Sequence, residues 1–397
     1  MLTLDLIYRA STVLNGIIHR TPLINTRKIN PLANVTLKPE NLQVTGSFKV
    51  RGAGFKISQL TDEEKAHGVI ACSAGNHAQG VALAAKRAGI PALICMPAGA
   101  PISKVEATRE LGAEVCLVPG VYDDAYRRAV QLNEEKHMTF IHPFDDEQVI
   151  AGQGTIGMEI LAERPDTDVV FVPIGGGGLA SGVAYAIKTL KPEVRVVGVQ
   201  AEGAPSMVNS VDHNQIEALA SVLTIADGIA VKEPGEHTFQ LVQQYVDEIV
   251  TVSEDEICAA ILALVEHHKL IAEGAGAVSV AAAMFNKVDI RGKNVCCIVS
   301  GGNIDVTILS RVINRGLMKG GRTTEMLIEM ADRPGSLLAL CDVICRLGAN
   351  IISIHHERNG ESPDVNSCNL RIVLETRNAD HIRSIQEAIT QAGFAIL

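Results

Sequence analysis

The residues with the most chemical potential in this sequence form one short run, Thr45-Gly46-Ser47-Phe48-Lys49-Val50-Arg51-Gly52-Ala53. A single lysine stands between an aromatic and an apolar neighbour. A lysine kept dry gives up its ammonium proton, because burial penalises the charged form, and becomes a nucleophile toward carbonyl carbon. The same run also reads as a surface lysine at a helix start, with Ser47 as its N-cap.

A second run limits what such a lysine could work on. Val169 to Ile174 is an apolar strand that enters Gly175-Gly176-Gly177-Gly178, and an apolar helix follows from Leu179. Successive glycines let the backbone wrap one ligand with its N–H groups converging, and the helix start adds its pull on an anion such as phosphate. No Gly-Lys-Ser/Thr follows, so this is not a nucleoside-triphosphate loop. A related turn closes the strand Gly68–Cys72: Ser73-Ala74-Gly75-Asn76-His77-Ala78-Gln79-Gly80. Its helix start suits a carboxylate, although a plain capped strand–helix turn has the same look. A third follows Asn294 to Val299, as Ser300-Gly301-Gly302-Asn303. Gly152-Gln153-Gly154-Thr155-Ile156-Gly157 matches G-x-G-x-x-G in form. The loop Asp145 to Gln148 precedes it rather than a strand, so it reads as a helix with glycines for close packing, not a dinucleotide fingerprint.

These turns need a parallel scaffold, and the chain supplies one. With 397 residues, 47% apolar and 20% charged, it is long enough for two or three packed domains. A net charge of −10 without a basic run argues against nucleic acid or an anionic membrane as partner. No apolar run is long enough to span a bilayer, and the start of the chain lacks a signal peptide's basic residues. Nine scattered cysteines without Cys-x-x-Cys read as small core residues in a reducing cytoplasm, with no metal site expected. His267-His268 reads as a solvated helix-end pair, because adjacent helical residues point to different faces. Strands at Thr36–Asn41, Ala92–Met96, Glu114–Val118, Arg195–Ala201 and Glu248–Val252 alternate with helices such as Ser103–Leu111, Asp123–Lys136 and Glu254–His268. Strand–helix alternation of this kind predicts a doubly wound parallel α/β sheet.

After Lys319 lysine disappears, and Gly320-Gly321-Arg322 reads as a linker. Strands at Thr324–Met330, Asn350–His356, Asn369–Glu375 and Phe394–Leu397, with helices at Gly335–Leu347 and Asp380–Ala392, give a small ferredoxin-like βαββαβ unit.

On these motifs, in this order, the stretch from residue 1 to about 318 resembles the fold-type II pyridoxal-phosphate enzymes, in particular the threonine dehydratase and serine racemase branch. Glu273-Gly274-Ala275-Gly276-Ala277 belongs to the matching set. Residues 324–397, after a linker at 319–323, look like an ACT domain through Asp332-Arg333-Pro334-Gly335-Ser336-Leu337 and Gly348-Ala349-Asn350-Ile351. The resemblance implies two lobes like those of the tryptophan synthase β chain, the smaller (about 45–142) inserted in the larger. It implies that Lys49 carries pyridoxal 5'-phosphate and removes the substrate Cα proton, with Phe48 beside the ring. Gly175, Gly176, Gly177, Gly178 and Leu179 would bind the phosphate, Asn76 the phenolic oxygen and Ser300 the pyridine nitrogen. Ser73, Ala74, Gly75, Asn76 and His77 would hold the substrate carboxylate. The implied reaction takes L-threonine, and L-serine as a second substrate, to a 2-oxo acid and ammonia.

An amino-acid effector such as isoleucine or valine is expected near Asp332, Pro334, Gly335, Ser336, Leu337 and Asn350, in a homodimer or homotetramer. A serine dehydratase, another lyase of this fold, or a non-catalytic amino-acid sensor are the alternatives. Two positions depart from the racemase pattern. Ala74 stands where the racemase has its opposite-face serine. Glu202 matches that enzyme's cation ligand, but Val208 replaces the aspartate.

Overall fold

The computed structural model describes residues 1–357 and 366–397. They form two compact units, Met1–Asp305 and Val306–Leu397. The division falls ahead of the expected 318, because the helix Val306–Lys319, for which the sequence reading had no element, groups with the second unit.

In the first unit the strands are β1 (Ile24–Thr26), β2 (Asn34–Pro39), β3 (Val69–Cys72), β4 (Ala92–Pro97), β5 (Glu114–Val118), β6 (Thr139–Phe140), β7 (Val169–Pro173), β8 (Arg195–Ala201), β9 (Glu248–Val252) and β10 (Asn294–Val299). Two sheets result. One has the order β1-β2-β10-β7-β8-β9 and the other β5-β4-β3-β6. All neighbours run parallel except β1 against β2. Every residue of β3 and β7 is buried, as expected for strands covered on both faces. The strands of the smaller sheet come from the chain between β2 and β7, so its lobe is an insertion in the larger one.

Strand order determines where ligands can enter. In the large sheet the chain winds from β7 to β8 and β9 in one direction, then returns to place β10 on the other side of β7. In the small sheet β3, β4 and β5 run one way and β6 is added on the other side of β3. Each reversal opens a crevice beyond the carboxyl ends of two parallel strands. The first is flanked by Gly175–Gly178 and Ser300–Asn303, the second by Ser73–His77 and the segment after Phe140.

The helix Glu147–Glu163 packs on the helix Lys49–Ser58 through Gly152, and on the helix Gly178–Leu190 through Gly154 and Gly157. A Cβ at Gly152 would stand 2.6 Å from the Arg51 carbonyl oxygen, so the backbones touch and only glycine fits. This helix already includes Glu147 and Gln148, which the sequence reading assigned to a loop. Asp146 caps it by accepting from the N–H groups of Gln148 and Val149. The helix expected to reach His268 is α-helical only over Glu254–Ala263 and widens to a π turn over Leu264–His268. His268 is accordingly half-buried, with its Nε2 2.8 Å from the Thr26 hydroxyl, rather than solvated.

The second unit has β11 (Thr323–Ala331), β12 (Asn350–Glu357), β13 (Ser367–Glu375) and β14 (Ala395–Ile396), with helices Ser336–Arg346 and Ala379–Gln391. They form an antiparallel sheet of order β12-β13-β11-β14 in βαββαβ sequence. Its core joins Ile328, Leu370, Ile372 and Leu374 to Leu340, Ile344, Ile385 and Ile389 of the helices. Among the described residues no helix is long and apolar enough to cross a membrane.

Candidate active site

Lys49 stands between the two crevices. It is the first residue of its helix, and Phe48 caps that helix without a side-chain bond, so Ser47 is not the cap. The segment is stitched to the end of β10: Phe48 N–H donates to Ser300 O at 3.1 Å, and Ser47 bridges to Gly301. On the other side Lys49 Nζ donates to Pro143 O at 2.7 Å, just past β6. Burial lowers the Lys49 ammonium to about 8, with the Glu273 carboxylate pulling the other way. About a tenth of the amine is therefore neutral at pH 7, against well under a thousandth for an ordinary lysine, as nucleophilic or basic work requires.

Around Lys49 the structure assembles most of the residues singled out from the sequence. Ser300 is 3% exposed, and its hydroxyl donates to Ala275 O at 3.2 Å. Asn76 opens the helix Asn76–Ala88 at the end of the Ser73 turn. Its amide is fixed at both ends, with Nδ2 donating to Glu273 Oε1 at 2.6 Å and Oδ1 accepting from Asn303 Nδ2 at 2.8 Å. Asn303 Nδ2 also reaches Thr45 O at 2.7 Å, which ties this clamp to the Lys49 run. One Asn76 amide hydrogen remains for a ligand oxygen. Ser73 Oγ accepts from Gly75 N at 3.1 Å and shapes the turn. Gly75 caps the following helix with no side chain, so the helix start is open to an anion. His77 is turned away from it. Its Nε2 donates to Ile141 O at 2.8 Å, and burial pushes its imidazolium down to about 3, so the ring is neutral. What His77 can offer a carboxylate is its backbone N–H. Ala74 packs with the core of the small sheet and carries no proton.

The glycine turn meets the test for a phosphate. Among the described residues, the N–H groups of Gly175 to Leu179 have no acceptor, and the helix Gly178–Leu190 begins there. Gly177 has φ of 98°, and a Cβ at Gly176 or Gly178 would stand 2.4 or 2.8 Å from Phe144. The turn is thus held close and rigid by its neighbours, with unpaired donors at a positive helix end. Phe144 directly follows Pro143, so one short segment touches both Lys49 and this turn.

Two participants escaped the sequence reading. Glu273 was recognised only as part of a small-residue motif, yet it is 4% exposed and bonded to Asn76. Burial and the nearby Asp227 raise its carboxyl to about 7, against lowering by Asn76, Lys104 and Lys49. A carboxyl whose folded value lies above its unfolded one adds stability that is full in acid and lost as pH rises through about 7. The stake is on the order of 3 kcal/mol. The thermal midpoint of wild-type protein should fall between about pH 4.5 and 7 more steeply than that of Glu273→Gln, which stays neutral throughout. Parallel curves for the two proteins would show that Glu273 keeps an ordinary value. Asn303 was noted only as the end of a turn, and nothing in a lone asparagine signals a clamp.

The remaining expected residues lie elsewhere. Glu202 is exposed at the end of β8. Asp332 to Gly335 form the turn between β11 and its helix, which Ser336 and Leu337 open, whereas Asn350 begins β12 and bonds Glu375 at 3.2 Å. Register places Asn350 beside Glu375 and Thr323, so within one chain it lies at the opposite end of the sheet from Asp332.

A lysine and a phosphate cradle at the switch points of two parallel sheets define a cofactor enzyme of the pyridoxal-phosphate kind. The comparisons agree: residues 14–301 match the family model for the pyridoxal-phosphate dependent enzymes, and the chain belongs to that family. It is 48% identical over 398 residues to an L-threonine ammonia-lyase of Thermotoga maritima, covering 100% of this chain and 99% of the relative. An L-threonine ammonia-lyase of Geobacter sulfurreducens is 45% identical over 399 residues, with 100% and 99% covered. Among solved structures, threonine deaminase isoform 2 of Solanum lycopersicum superposes with TM-score 0.75 at 38% identity, covering 80% of this chain and 90% of that one. Maize serine racemase gives TM-score 0.75 at 35% identity, with 80% and 98% covered.

Proposed function

We propose that this protein is a threonine ammonia-lyase, which dehydrates and deaminates L-threonine to 2-oxobutanoate and ammonia and accepts L-serine as a second substrate. The observation that carries the reading is Lys49 itself, held at about 8 between the open helix start at Asn76 and the glycine turn. Pyridoxal phosphate, when bound, supplies the electron sink that makes an amino-acid Cα–H bond acidic. Lys49 would tether it, Phe48 flank its ring, and the N–H groups of Gly175 to Leu179 hold its phosphate. Asn76, kept in one orientation by Glu273 and Asn303, would donate its free amide hydrogen to the phenolic oxygen. Ser300 would meet the pyridine nitrogen with a neutral hydroxyl, which would leave that nitrogen without a carboxylate to hold a positive charge on it. The backbone of Ser73 to His77 would orient the substrate carboxylate, and neutral Lys49 would take the Cα proton. Ala74 leaves the opposite ring face without an acid, so elimination should outrun racemisation.

The test is a substrate panel on purified enzyme with keto-acid, ammonia and chiral detection. L-Threonine should give 2-oxobutanoate and ammonia in equal amounts, and L-serine should be dehydrated far faster than it is racemised. No keto acid from threonine, or serine racemisation at a comparable rate, would overturn the assignment.

For the second unit we infer an ACT domain that senses a branched-chain amino acid such as isoleucine or valine. Its βαββαβ order supports this, as does the placement of the effector residues. Asp332, Pro334, Gly335, Ser336 and Leu337 lie at one end of the sheet and Asn350 at the other, roughly 30 Å away at about 3.3 Å per residue. One small ligand could touch both only across two copies, so the reading carries a homodimer or homotetramer with it. A coupling of about 1–3 kcal/mol between effector and substrate is expected. A chain ending at Asp305 should keep turnover and lose the response to isoleucine and valine. An unchanged response would put the effector site in the first unit.

A further inference from the structure

The second unit brings together three side chains, of which the sensor reading uses only Asp332. Asp332, His356 and Cys368 place a carboxylate oxygen, an imidazole nitrogen and a thiol sulfur within 4.8 Å of one another. Register explains how. Cys368 opens the central strand β13 opposite Met330 of β11, and Asp332 continues the same ladder, with its N–H on Asn366 O at 2.8 Å. Side chains two residues apart share a face of a sheet, so Asp332 lies on the face of Met330 and Cys368. On the other side of β13, His356 of β12 pairs with Leu370, again on the face of Cys368. The sulfur therefore has one diagonal neighbour from each adjoining strand. Cys368 is fully buried, whereas Asp332 and His356 are exposed, so the cluster is closed beneath and open above.

We propose that Asp332, His356 and Cys368 form a binding site for a thiophilic divalent cation of the zinc class. A thiolate, an imidazole and a carboxylate are the donors such ions prefer, and calcium or magnesium would want oxygen alone. Three protein ligands with solvent above leave a fourth tetrahedral position for water or a small ligand. His356 Nε2 and Cys368 Sγ stand 2.9 Å apart. Bonds of about 2.0 and 2.3 Å to one tetrahedral ion would set them roughly 3.6 Å apart, an adjustment the exposed histidine can make by rotation. Binding requires the thiolate, so the Cys368 proton leaves to solvent and affinity rises with pH. No local motif announces this site, because the ligands lie on three separate strand ends. The proposal stands independently of the lyase reading.

Cobalt(II) reports on it directly. Tag-free, full-length holoenzyme titrated with cobalt should develop the visible bands of a tetrahedral ion and a sulfur-to-metal charge-transfer band. These should saturate at one ion per chain and vanish on addition of zinc. His356→Ala and Asp332→Ala, both at exposed positions, should each weaken binding at least tenfold, and Cys368→Ser should abolish the charge-transfer band. His355→Ala, on the opposite sheet face, should bind as the wild type does. Absence of the bands, or bands of undiminished affinity in His356→Ala, would overturn the proposal whether or not Cys368→Ser folds.

Discussion

Lys49→Ala is expected to lower ammonia release from threonine by at least about a thousandfold, because one side chain serves both as tether and as base. The loss should not come from misfolding. Among the described residues Lys49 Nζ makes a single hydrogen bond, to Pro143 O, and its ammonium is held down to about 8 by burial. A lysine whose folded value lies below its unfolded one destabilises the fold wherever the unfolded chain is protonated, and that penalty shrinks as pH rises. At neutral pH the alanine variant should therefore melt at the same temperature as wild type or higher, a trade of stability for function. Lys49→Arg should fail equally, since a guanidinium does not deprotonate. Turnover above about a thousandth of wild type in Lys49→Ala, with the variant folded, would move the base to another residue.

What the sequence made legible here were strand ends. β7 and β10 read clearly because apolar runs stop at glycines, and the switch-point rule then says that those ends face a ligand. The pairing of the Ser73 turn with the segment after β6 was not legible. It depends on β6, a strand of only Thr139–Phe140 that sets His142 to Phe144 beside Lys49. Charge also misled. Lys38, Glu40 and Arg51 look like surface residues in a strand and a helix, and all three are fully buried. Local pattern reports polarity, whereas burial of a charge depends on a partner contributed from far along the chain, here Glu159. The Glu273–Asn76–Asn303 clamp is hidden for the same reason: its members come from three separate strand or helix ends. The helix Val306–Lys319 is legible in its apolar residues, which recur at helical spacing.

Arg51→Met should cost about 3–5 kcal/mol of stability, the largest effect expected of any substitution outside the catalytic position. Arg51 donates through Nε and Nη2 to both oxygens of Glu40 at 2.7 and 2.8 Å. Nη1 and Nη2 reach Glu159 at 2.7 and 2.9 Å, and Nη1 also reaches Thr155 at 3.0 Å. Lys38 completes the set, reaching Glu159 at 2.6 Å and Thr21 O at 2.6 Å. Two buried cations thus face two carboxylates, and loss of any single one leaves a net charge behind. Although burial alone would raise the Glu40 carboxyl, the Arg51 guanidinium outweighs it and holds the group below its usual range. Removing the guanidinium reverses that balance and leaves a buried carboxylate with only the neutral donors Thr21 and Gln43 and the charge of Lys38 to offset it. Arg51→Lys keeps the charge but loses the fork, and should fall between wild type and Arg51→Met. The double variant Glu40→Gln/Arg51→Met discards the stranded charge, so it should be more stable than Arg51→Met alone, a coupling seen only if the two residues act as a pair. Sign follows from the depressed Glu40 value: its contribution is present above the ordinary carboxylate range and lost as pH falls through the folded value. Wild type should therefore lose stability in acid that Arg51→Met has already lost. Because Arg51 shares a helix turn with Lys49, turnover should fall with stability in Arg51→Met and recover in part in the double variant. Unfolding midpoints that differ by less than about 1 kcal/mol between wild type and Arg51→Met would mean the network is replaceable by apolar packing, as some buried ion clusters are.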